Sequence, residues 1–205
     1  MSITYPLSFP AGIAPKRVTF YGVNAVSVSR SPFTFDTQTQ SFSGQSWGAE
    51  VTLPAMIRET AEEWISFLMA LQGPKGTFYL RDPLAAEPRG VATGTPLVNG
   101  ANQTGNSLIT DGWTNSTTGI LKRGDKIQLG SRLYAVMGTS DVDSDGSGNA
   151  TIDIWPRLRE SPADNENIIT VEAAGVFRLS NNLNNFWSAD ETQTYDISFD
   201  CVEAI

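Results

Sequence analysis

The chain has 205 residues, 14 Lys and Arg against 22 Asp and Glu, no His and a formal net charge of −8. That balance excludes a basic footprint for gripping nucleic acid, and the lack of His removes the commonest general base and metal ligand. A single cysteine excludes an intrachain disulfide. Apolar residues make up 40%, enough for a core, whereas charged residues are only 18%. Low charge with plentiful Ser, Thr, Asn, Gln and Gly favours strands and turns over long helices. Met1 to Pro6 lacks a basic region followed by an apolar run, so a signal peptide is not expected. Nor does any apolar stretch have the length to cross a bilayer. The expectation is a soluble protein made in a cytoplasm, without a membrane partner, in which the sequons at Asn102, Asn115 and Asn149 carry no meaning.

Residues 1–17 hold Pro6, Pro10, Pro15 and Gly12, which reads as an extended arm without a core of its own, of the kind that lies on a neighbouring subunit. Residues 18–53 read as strands. Val26 and Val28 alternate with Ser27 and Ser29, Phe33 and Phe35 share a face, and Trp47, Ala49, Val51 and Leu53 alternate with Gly48, Glu50 and Thr52. Phe42 to Ser46 reads as a turn or tip. A helix is expected over 60–72, with Thr60 and Glu63 as a capping box, Trp64, Phe67, Leu68 and Leu71 on one face, and Gly73-Pro74 as the stop.

Residues 84–118 are rich in Gly, Ala, Thr, Asn and Pro and read as a long loop into an inserted module. From 119 to 159 the pattern suggests a small barrel, with turns at Gly130-Ser131 and at 141–149. Phe177, Leu179, Phe186, Trp187 and the Tyr195–Val202 alternation return to the earlier style. The expected fold class is mainly β: a β-sandwich from 1–83 and 160–205 with one covering α-helix, interrupted by a small β-barrel-like domain at 84–159. On that reading, removal of about 90–157 leaves a folded core.

No motif defines a catalytic or cofactor site, and neither is assigned. Asp141, Asp143, Asp145 and Gly146 have the alternating carboxylates of a calcium loop, but Ile152 stands where its bidentate Glu belongs and no helix flanks the loop, so a solvated Asp/Gly hairpin turn is the preferred reading. No metal ligand is assigned. Glu59, Glu62 and Glu63 sit where carboxylates favour a helix start. Arg123-Gly124-Asp125 matches an adhesion tripeptide but reads more simply as a hairpin entry. Cys201, in the 195–202 alternation, is expected as a small core residue, since a reactive thiolate wants a cationic neighbour. Trp47, Trp64, Trp155 and Trp187 lie in apolar patterns and are expected to pack. Trp113, in Asp111-Gly112-Trp113-Thr114, is the candidate for exposure and for stacking a sugar.

Three segments carry a resemblance: Trp47–Pro54 through the helix to Gly76–Pro83, Leu121–Leu129 with Arg132–Val136, and Ala150–Arg159 followed by Gly175–Leu179. In this order they resemble distal tail proteins and related minor tail proteins of long-tailed bacteriophages and prophages, over about three quarters of the chain. The resemblance implies a non-enzymatic virion protein: a belt domain forming a homohexameric ring around the tail lumen, with tube protein on one side and hub, tip or fibre proteins on the other. Phage DNA would pass through the lumen without specific binding, past a wall that is acidic or neutral. Asp36, Glu50, Asp190, Glu191 and Asp196 are the acidic candidates. A competing class is a carbohydrate- or receptor-binding module of the tail tip, for which Trp113 and the 84–118 loop are the discriminating features.

Overall fold

The structure, a computed structural model, describes residues 3–182, 187–189 and 193–205. Phe186, Asp190 and Glu191 lie outside the described residues. In chain order the elements are β1 (Arg17–Arg30), β2 (Thr37–Thr52), α1 (Arg58–Leu71), a 3-10 turn (Gly73–Lys75), β3 (Phe78–Arg81), β4 (Gly94–Val98), β5 (Gly105–Trp113), β6 (Lys126–Leu129), β7 (Arg132–Val136), β8 (Ala150–Leu158), β9 (Ile168–Ile169), β10 (Ala174–Leu179), β11 (Trp187–Ala189) and β12 (Tyr195–Glu203). The expected class holds: the fold is mainly β, with one helix and two sheets, the second nearly closed into a barrel.

The first sheet has the order β1-β2-β12-β10-β3, with β11 paired to β12. Alternation in β12 turns Ile197, Phe199 and Cys201 inward and Asp196, Ser198 and Asp200 outward. The sheet curls strongly. Phe20 on β1 and Phe177 on β10 are three strands apart, which on a flat sheet would separate them by roughly 14 Å, yet their ring centroids are 6.1 Å apart. Helix α1 lays Trp64, Phe67, Leu68 and Leu71 over the concave side. Its start differs from the expected capping box. The helix begins at Arg58, its N-cap is Ile57 and no side chain caps it. Pairing of Met56 with Tyr195 fixes the chain just before that point, so tertiary pairing and not the Thr60 hydroxyl sets the boundary. Glu62 instead pairs with Arg58 at 3.2 Å.

The arm also departs from its expectation. It lies on its own chain. Leu7 pairs beside β3, its N–H donating to Thr77 O at 2.8 Å and its O accepting from Tyr79 N–H at 2.9 Å. Phe9 then enters the core between Trp64, Phe67, Phe78 and Phe199, with centroid distances of 5.0, 5.6, 5.6 and 6.4 Å.

The second sheet runs β4-β5-β8-β7-β6-β9. A bridge from Leu97 to Asn167 brings its last strand back towards its first. It encloses Leu108, Ile120, Leu121, Ile127, Val136 and Ile152. Two strands, β4 and β5, fall inside the stretch read as loop. Their inward positions include Thr110 and the glycine-flanked Trp113, which composition alone does not mark as core. The sheet also extends past 159, because Ile168 is buried against Leu129 in β9.

The two sheets share a core. Leu133 and Ala135 of β7 belong to the same apolar cluster as Trp64 and Phe177. A Cβ on Gly175 would stand 3.0 Å from the Leu133 Cβ, so β10 and β7 touch through a glycine. Val176 N–H donates to Ser131 O at 3.0 Å, and Trp47 Nε1 donates to Leu133 O at 2.8 Å. Removal of 90–157, expected from the sequence to leave a folded core, would take Leu133 and Ala135 out of this cluster, and cooperative unfolding of that deletion is the measurement that tests it.

Candidate assembly surface

Among the described residues, the part of the hairpin β1–β2 beyond its root is left uncovered. Its root is clamped by β8. Trp155 meets the Trp47 ring edge-on at 4.4 Å between centroids, donates from Nε1 to Asn24 Oδ1 at 3.1 Å, and would lie 2.6 Å from a Cβ on Gly22. Arg157 N–H donates to Gln45 Oε1 at 2.8 Å. Past this clamp the hairpin leaves the body. Every residue from Tyr21 to Arg30 and from Thr37 to Gly44 is exposed.

The sequence continues alternating through this exposed stretch. Val26 and Val28 stand opposite Ser41 and Thr39 on one face, and Ser27 and Ser29 opposite Gln40 and Gln38 on the other. Between Arg17 and Glu50 the only charged residues are Arg30 and Asp36, both beside the turn. Phe42 to Ser46, read as a tip, are strand residues. The register shifts there, with Phe42, Ser43 and Gly44 opposite Ala25. The real tip is Ser31 to Asp36. The Ser31 hydroxyl accepts from Phe33 N–H and Thr34 N–H at 3.3 Å each, and Ser31 N–H donates to Asp36 O at 2.8 Å. Phe33 and Phe35, read as strand neighbours, sit in this turn at 92% and 62% exposure. The Arg30 guanidinium lies 4.6 Å over the Phe35 ring. Pro32 between two Ser/Thr/Gln-rich alternating runs was the sequence signal for this turn.

The other candidates sort by geometry. Trp113 is buried, its Nε1 donating to Thr110 Oγ1 at 2.8 Å, so it offers no stacking surface. Trp187, expected in the core, is instead 41% exposed on β11. The adhesion tripeptide is closed off, because Asp125 is buried and its carboxylate accepts from Arg89 N–H, Gly90 N–H and Lys122 N–H at 3.0, 3.0 and 2.8 Å. In the acidic loop, Asp145 Oδ1 accepts from Ser147 N–H at 2.7 Å and Asn149 N–H at 2.8 Å. The Asn149 side-chain amide donates to its other oxygen and, with those backbone N–H groups, holds the carboxyl below its ordinary pKa. Among the described residues no set of three His, Cys, Asp or Glu is placed to hold a metal ion. Asp36, Glu50 and Asp196 are exposed. Cys201 is wholly buried, and burial pushes its thiol up to about 12. Among the described residues no helix is long and apolar enough to cross a membrane.

At the junction of the two sheets Glu203 has only 2% of its side chain exposed. It accepts from Trp47 N–H at 3.3 Å, while the Arg159 guanidinium stands 3.8 Å away, beyond hydrogen-bond reach. Burial therefore outweighs these partners and raises its pKa. A carboxyl raised on folding contributes stability that is full below the ordinary Glu range and is lost as pH rises through the folded value. Glu203→Gln removes that titration. Denaturant titrations across pH are expected to show the wild-type minus variant stability falling as pH rises from about 4; a flat difference would count against a raised value.

Comparison of the sequence with protein-family models and with curated proteins finds no match.

Proposed function

We propose that the chain is a non-enzymatic structural component of a bacteriophage tail, a distal tail protein of the virion. On this reading it forms a homohexameric ring at the far end of the tail tube, in the baseplate region. The ring joins tube protein to hub, tip or fibre proteins and lets DNA pass. The observation that carries the proposal is the β1–β2 hairpin, which projects from a finished fold with Val23, Val26, Val28 and Phe42 uncovered. Such a strand pair, open along its outer edge, is a surface made to be covered by another chain. The hairpin's near lack of charge suits a wall beside moving DNA, because phosphate contacts by Lys or Arg would add affinity and friction. The resemblance in 47–83, 121–136, 150–159 and 175–179 supplies the tail context. The competing carbohydrate- or receptor-binding reading turned on Trp113 and the 84–118 loop; Trp113 is buried and the loop carries strands β4 and β5, so neither supplies an exposed aromatic for it. Antibody labelling of intact tails is expected to mark the end remote from the capsid; label along the tube or at the capsid would contradict this assignment.

A further inference from the structure

The arm and the edge strand β3 leave a groove. After Leu7 the arm parts from β3, and the gap between it, β3 and the start of β1 encloses about 670 Å³. Phe9, Ile13 and Pro15 of the arm, Val18 of β1, and Leu80 and Pro83 line it. This is ample room for an aromatic side chain. The ion pair of Arg81 with Glu172 stands at its rim. At the far end of β1 sits the opposite shape, the turn that exposes Phe33 and Phe35. Val18 and Arg30 are twelve residues apart on one continuous strand, so groove and turn are separated by roughly 35–40 Å. The turn therefore cannot fill the groove of its own chain. Knob and groove at opposite ends of one strand make a head-to-tail contact, the kind that closes rings. The turn carries one cation, Arg30, and one anion, Asp36, and the groove's rim carries the mutually paired Arg81 and Glu172, so neither side brings a net charge that would repel the other.

We propose that the Phe33–Phe35 turn of one copy seats in the arm groove of the next copy. The inference rests on the ring reading above and names the contact that closes it. Because Cys201 is the only cysteine and is buried, new cysteines report cleanly. Phe33→Cys and Ala14→Cys chains, each purified full length, are mixed at high concentration and oxidised. The expected product is a mixed Phe33→Cys/Ala14→Cys disulfide dominating over like pairs, with a covalent ladder from the double variant. A second measurement is sedimentation equilibrium of Phe33→Ser/Phe35→Ser, whose changes lie on exposed residues and leave the fold intact; its self-association is expected to be lost. Like-with-like disulfides only, no disulfide, or undiminished association of the serine variant would overturn the contact. A six-fold ring in tails without the mixed disulfide would fail this inference alone. A mixed disulfide in assemblies of another symmetry would fail the hexameric reading alone.

Discussion

Asp125→Ala is expected to destabilise the chain by about 2–3 kcal/mol, because three part-buried backbone N–H groups lose their acceptor at once. The carboxylate of Asp125 is the hub that ties Arg89, Gly90 and Lys122 together where the chain enters the barrel. Arg89 adds its guanidinium to the same oxygen at 3.4 Å and also donates to the Arg123 carbonyl. Arg89 is largely exposed, so that pair contributes little in water. The backbone donors decide the size of the effect. Asp125→Asn keeps one acceptor oxygen and should recover part of the loss. Urea unfolding of the three proteins checks the order, wild type above Asn above Ala. Equal stability for all three would mean the loop is held by something else.

Phe9→Ala is expected to cost about 3 kcal/mol, towards the lower end for a phenylalanine in a core because Phe9 is only partly buried. Phe9 touches two helix residues and two sheet residues, so its removal leaves a cavity where α1, β3 and β12 meet. The variant should unfold at lower denaturant concentration with an unchanged slope. A near-neutral result would show that the arm packs elsewhere, for instance on a neighbouring copy.

The contrast between arm and hairpin shows what the sequence could reveal. Periodicity reported secondary structure well: Trp64, Phe67, Leu68 and Leu71 marked the helix face, and the 195–202 alternation marked β12 with Cys201 inside. Periodicity does not report what lies above a strand. Val26 and Val28 alternate just as Ala49 and Val51 do, yet the first pair is exposed and the second buried, because only the second pair belongs to the apolar cluster that α1 and the first sheet share. The reverse error arose at Phe9, whose prolines signalled an arm but not its destination. Trp113 is buried where its sequence context suggests exposure, because Gly112, at a φ of 74°, breaks the strand alternation and the ring lies inward beside Thr110. Ser, Thr and Gly inside β4 and β5 hid two barrel strands for a similar reason. A buried hydroxyl such as Thr110 donates to Ala150 O of its partner strand at 2.9 Å, an acceptor that composition cannot name. The candidate surface was therefore visible as strands and invisible as a surface.

The central claim, a ring of this chain at the distal end of a phage tail, is tested most directly by averaged electron images of intact tails carrying it. The account predicts six copies around the tail axis beyond the last tube ring, with the β1–β2 hairpins ordered between neighbouring copies. Absence of six-fold density for this chain at that position, or hairpins standing free in solvent, would contradict it.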